Sequence, residues 1–178
     1  MKTEEFVIDS LEFARRGREV SGLVSLASLT RLADLLANDA GELAWSVSGE
    51  LAMDRFGKQQ AYLLLEVRGE VSLVCQRCLS VMKQALDIGT RLLLVPPGAP
   101  WPEDGPEDES GEGAVGFDED ADPVEALVEQ RVLDLVEDEV LLALPIVPRH
   151  AACELPEHDD GRAAASPFAA LAKLKRTH

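Results

Sequence analysis

Leucine recurs at three- and four-residue intervals between Ser28 and Ala37, whereas from Leu43 onward apolar and polar residues alternate. The two periods predict different elements. Leu29, Leu32, Leu35 and Leu36 would line one side of a helix of about ten residues, capped by Ser28 and stopped at Asn38-Asp39-Ala40-Gly41. The alternation through Trp45, Val47 and Leu51 predicts a half-buried strand, Asp54 to Gly57 a turn, and the Leu-, Val- and Tyr-rich run Gln60–Val74 a second strand beside the first. A third strand, Val81–Val95, carries Met82, Leu86, Ile88 and Leu92-Leu93-Leu94, and returns next to the previous one. Upstream, Phe6-Val7-Ile8 is a short strand, Ser10 to Gly17 has room for one or two helical turns, and Val20 to Leu26 is extended or loop. Downstream, Pro123 to Val128 adds a short strand. Arg131 to Ala143 is a helix with Leu133, Val136, Val140 and Ala143 on one face, and Pro145 ends it.

The order strand, helix, sheet, helix predicts an α+β fold, an antiparallel sheet packed with a few helices. The expected organisation is a single domain over residues 1–153, interrupted by a mobile acidic linker at 96–122. A flexible segment, 154–178, follows and ends in a short helix after Ser166-Pro167. A helix that short orders only when docked.

The net charge of −16 opposes phosphate binding when taken as a whole. Its distribution changes that reading. Ten acids and no Lys or Arg lie between Pro96 and Asp122, which leaves −6 on the rest of the chain. Glu154, Glu157, Asp159 and Asp160 form a second acidic group. Such blocks, rich in Gly and Pro, bury too little apolar surface to offset ordering entropy. The long insert is a solvated linker, or else a mimic of nucleic-acid charge that shields a basic partner. No apolar run reaches the roughly 18 to 20 residues of a membrane span. Met1-Lys-Thr-Glu-Glu5 carries acids where a signal peptide has a basic start, so the expected location is cytoplasmic.

Three cysteines are too few, and odd in number, for a secreted disulfide framework. Cys75-Gln76-Arg77-Cys78 follows a strand-like run at an expected hairpin tip, and His150-Ala-Ala-Cys153 follows the proline-flanked Pro145-Ile-Val-Pro148. Together they offer Cys75, Cys78, His150 and Cys153, ligand types that zinc takes in structural sites. Zinc would tie the hairpin to the segment after the last long helix. Two other readings stand beside it: reduced thiols packed as small apolar groups, and a thiol-redox pair. A thioredoxin-like motif opens a helix, whereas Leu79-Ser-Val-Met82 starts another strand.

Arg68, Arg77 and Lys83 near the hairpin tip, and Lys173, Lys175 and Arg176 at the basic end, are the candidate contacts for RNA phosphate or a protein partner. Ordinary strand charges and a basic helix end explain them equally well. Glu137-Asp138-Glu139 diverge around a helix and read as a solvated face. Trp45 reads as core and Trp101 as a linker anchor. The chain has no Gly-rich phosphate loop, serine elbow or His-Glu-x-x-His pattern, so it is not expected to be an enzyme.

Three segments carry a family likeness: Glu70-Val-Ser-Leu-Val-Cys75-Gln-Arg-Cys78, the stretch from Leu135 to His150 with its two prolines, and Ser166-Pro-Phe168 to Lys175. Together, and in that order, they resemble the bacterial large ribosomal RNA subunit accumulation protein family, YceD. Some relatives are similar in having cysteines after the second proline motif. The resemblance implies a cytoplasmic, noncatalytic ribosome-biogenesis factor required for accumulation of 23S ribosomal RNA. It carries over no catalytic residues. The expected partners are precursor 23S ribosomal RNA, a basic large-subunit ribosomal protein, or both, with no membrane and no small-molecule substrate. An acidic adaptor or chaperone for a basic ribosomal protein is the alternative.

Overall fold

A computed structural model describes residues 6–53, 57–101 and 121–153. The turn expected from Asp54, most of the acidic insert and the whole segment 154–178 lie outside the described residues. In chain order the elements are β1 (Val7–Ile8), α1 (Ser10–Arg15), β2 (Glu19–Ser25), β3 (Leu36–Asn38), β4 (Glu42–Met53), β5 (Gln59–Val74), β6 (Val81–Val95), β7 (Asp122–Glu125), β8 (Gln130–Arg131) and α2 (Val132–Ala143). The fold is α+β: a sheet of order β2-β4-β5-β6-β7, with β3 also paired to β5, and two helices. A separate two-stranded ladder joins β1 to β8.

Alternation in β4, β5 and β6 decides which face is covered. Leu43, Trp45 and Val47 of β4 and Leu63, Leu65, Val67, Val71 and Leu73 of β5 are buried on one side, and the intervening residues point away. β5 and β6 stay in register from Tyr62 opposite Leu93 to Val74 opposite Val81, so the hairpin delivers its tip directly after Val74. The sheet is mixed, because β7 runs parallel to β6. The sequence alone does not suggest that pairing.

Both helices join the single large core. α1 starts at Asp9, whose side chain accepts the Glu12 N–H at 2.9 Å, and buries Phe13 and Ala14. Ala14 lies so close to Gly49 of β4 that a Cβ there would sit 2.5 Å from the Ala14 Cα. α2 sets Val132, Val136 and Val140, spaced by four, into the core against β5 and β6. Leu142 and Ala143 point outward instead of joining that stripe.

The expected helix over 28–37 does not form. The segment instead runs through two 3-10 turns, Leu26–Ser28 and Thr30–Leu32, with Leu29 between them and Leu35 in the turn that follows, and Leu36 pairs with Leu73 as part of β3. The leucines at 26, 29, 32 and 35 repeat every three residues, which suits the tighter turn, and Leu29, Leu32 and Leu35 each donate N–H to the carbonyl three residues back. The Glu137 carboxylate takes the Arg31 N–H at 2.6 Å, a first-turn donor that a helix starting at Ser28 would have left to its cap.

Candidate metal centre

The loop between β5 and β6 holds two thiols because its backbone closes on itself. Cys75 donates its N–H to the Ser80 carbonyl at 3.0 Å, and Leu79 donates to the Cys75 carbonyl at 2.9 Å. Leu79 adopts φ 64°, the one positive φ outside glycine among the described residues, and this turns the chain back into β6. The second half of the site arrives from the end of α2. After Pro145 the main chain runs along the hairpin tip: Gln76 donates its backbone N–H to the Pro148 carbonyl at 2.9 Å and its side-chain amide to the Ile146 carbonyl at 3.3 Å. His150 and Cys153 are thereby delivered to Cys75 and Cys78.

The four ligand-type atoms lie within 4.8 Å of one another. Cys75 Sγ is 3.8 Å from Cys153 Sγ, and Cys78 Sγ is 3.4 Å from His150 Nδ1. A tetrahedral zinc with Zn–S of about 2.3 Å and Zn–N of about 2.0 to 2.1 Å sets two sulfurs about 3.8 Å apart and a sulfur and nitrogen about 3.5 Å apart. The donor set and its spacing are compatible with a metal. All three cysteines are free thiols, Cys75 buried and the other two half-buried.

Each sulfur also has its own polar neighbour. The Cys78 N–H, followed by those of His150 and Arg77, holds the Cys75 thiol down to about 5 against the opposing effect of burial. The Ser80 hydroxyl, 3.0 Å from Cys78 Sγ, is the main cause that lowers Cys78. Burial raises the Cys153 thiol, opposed by the Arg77 guanidinium, whose Nε lies 3.0 Å from its sulfur. Cys75 and then Cys78 raise the His150 imidazole.

The other sequence-predicted residues have different surroundings. Arg68 sits on the face of β5 opposite the large core, 63% exposed, paired with Asp87 and Glu66 at 3.0 Å each. Lys83 pairs with Glu70. Arg77 is turned into the centre, where Nη2 also reaches the His150 carbonyl at 3.3 Å. Lys173, Lys175 and Arg176 lie outside the described residues. Trp45 is buried, edge-on to Phe6, and Trp101 is half exposed. The Glu137 to Glu139 stretch is not the solvated face expected of it. Glu137 is buried and accepts Arg31 Nε at 2.8 Å, Asp138 pairs with the same guanidinium, and Glu139 accepts the Thr90 hydroxyl at 2.6 Å. Sequence reasoning missed Arg31 altogether, as well as Ser80. The serine was findable as a hydroxyl two residues past Cys78, whereas the arginine left no local signal.

The family model for the large ribosomal RNA subunit accumulation protein YceD matches residues 63–175. The chain belongs to the YceD family. Most of β5, all of β6, α2 and all four residues of the centre fall inside the matched span. The large ribosomal RNA subunit accumulation protein YceD of Haemophilus influenzae (strain ATCC 51907 / DSM 11121 / KW20 / Rd) is 28% identical over 185 residues, covering 95% of this chain and 94% of its own. No solved structure matches this YceD-family chain. Among the described residues no helix is long and apolar enough to cross a membrane.

Proposed function

We propose that this chain is a noncatalytic cytoplasmic factor of large-subunit ribosome biogenesis, required for accumulation of 23S ribosomal RNA and engaging its precursor. The observation that carries this reading is the YceD match over 63–175, backed by a relative that aligns along nearly the whole of both chains. In the same reading Cys75, Cys78, His150 and Cys153 hold zinc, which supplies a cross-link between the β5–β6 hairpin and the segment after α2. The chain's own part is to bring the ligands together: the hairpin loop presents two thiols, and the Gln76 bonds to Pro148 and Ile146 set the other pair beside them. The test is depletion followed by a sucrose-gradient ribosome profile. The expected result is loss of free large subunits with small subunits in excess, and a normal profile would sink the proposal.

A second reading, an acidic adaptor or chaperone for a basic ribosomal protein, is favoured by one specific observation. Arg68 and Lys83, expected as phosphate contacts, are paired with carboxylates of the same fold, and ten acids cluster between Pro96 and Asp122. Crosslinking in growing cells separates the two readings. Recovery of 23S sequence supports the first, and recovery of a basic large-subunit protein without RNA supports the second.

A further inference from the structure

Thiolates bound to zinc keep part of their charge, and three of them with one histidine leave the centre with a net negative charge. Half-buried charge of that kind needs donors, and the three sulfurs are served differently. Cys75 is met by backbone N–H groups, chiefly that of Cys78, and Cys78 by the neutral Ser80 hydroxyl. Cys153 alone is met by a cation: Arg77 Nε lies 3.0 Å from its sulfur, while Nη2 donates to the His150 carbonyl at 3.3 Å. The same planar guanidinium therefore touches one ligand through its sulfur and another through its main chain. Arg77 comes from the hairpin loop, and both of its partners come from the segment after α2.

We propose that Arg77 is a positioning residue that neutralises the metal centre and locks the His150–Cys153 segment onto the hairpin, and that it is not a phosphate contact. The inference rests on the zinc reading above. It also explains the setting of Arg77, which is half-buried with its guanidinium turned inward, whereas Arg68 and Lys83 on the neighbouring strands are well exposed.

The test measures zinc affinity of the full chain by competition with a chromogenic chelator, for wild type and for R77A, R77Q, R77K and the surface control R68A. Loss of an outer partner of a metal ligand costs about 10- to 100-fold in affinity. That loss is expected for R77A and R77Q. R77K keeps the charge but not the planar fork, and falls between them and wild type. R68A matches wild type. In cobalt-substituted protein the sulfur-to-metal charge-transfer band shifts in R77A and R77Q while the tetrahedral d–d bands remain, a change that general loosening of the fold does not produce. Wild-type affinity in R77A overturns the role of Arg77, and wild-type affinity in R77Q overturns the charge argument even if R77A fails to fold. Unchanged zinc affinity in R77A with weakened retention of 23S fragments would return Arg77 to the RNA-contact reading. Wild-type protein that takes up no zinc overturns the metal reading itself, a result distinct from all of these.

Discussion

Two clasps hold sequence-distant parts of this fold together, and they are built from opposite materials. At the hairpin tip, soft sulfur and imidazole ligands from Cys75, Cys78, His150 and Cys153 converge across more than 70 residues of sequence. At the other clasp, the buried Glu137 carboxylate accepts the Arg31 and Leu32 N–H groups and Arg31 Nε, joining α2 to a 3-10 turn more than 100 residues earlier. The first is an arrangement of ligands that a metal would complete. The second is complete in itself, since every acceptor position it needs is met by a donor from the same chain. The difference teaches that α2 is fixed to the core by side chains along its length, while the segment after α2 is held to the hairpin tip by the Gln76 bonds and by the cysteine and histidine centre.

The largest expected effect is at the first clasp. Cys75→Ser/Cys78→Ser should reduce zinc from about one per chain to near zero by elemental analysis. It should also lower the melting temperature by on the order of 10 °C, because a tightly bound ligand stabilises only the folded form. Sheet content by circular dichroism should persist, since the large apolar cluster that packs the sheet is built without the four residues of the centre. Loss of the sheet would show that the two clasps are not independent.

At the second clasp the expected effects are smaller and unequal. Glu137→Ala should cost about 2 to 3 kcal/mol in urea unfolding, because it leaves the Arg31 backbone N–H without its acceptor and removes the buried half of an ion pair. Arg31→Ala should cost only about 1 kcal/mol, since its side chain is half exposed and the backbone bonds to Glu137 survive. Equal costs would mean that the ion pair, rather than the backbone contacts, does the holding. The smallest effect belongs to neither clasp. Arg68→Ala, at an exposed pair on the sheet face opposite the large core, should change stability by less than about 0.5 kcal/mol.

The two clasps also differ in how far they could be read from sequence. The cysteines announced themselves because Cys-x-x-Cys sat between two alternating runs, where a hairpin tip had to be, and His-x-x-Cys followed a helix-ending proline. The long strands were legible for related reasons: Trp45 and Val47 alternate with serines, and Gln60–Val74 is rich in Leu, Val and Tyr. The Arg31–Glu137 clasp was illegible because its bonds are to backbone N–H groups, which have no sequence signature. Glu137 looked like one of three solvated acids because local pattern does not tell which side of α2 a partner will approach. The parallel pairing of β7 was hidden for another reason: Asp122-Pro123-Val124-Glu125 is too short to carry a period.

The most direct test of the central claim, that this is a large-subunit biogenesis factor whose cysteine centre is part of its function, is the ratio of 23S to 16S ribosomal RNA in depleted cells. The cells are complemented by wild type or by Cys75→Ser/Cys78→Ser, at matched protein levels. The account predicts a selective fall in 23S on depletion, restored by wild type and not by the double variant. A ratio that stays normal on depletion would contradict it.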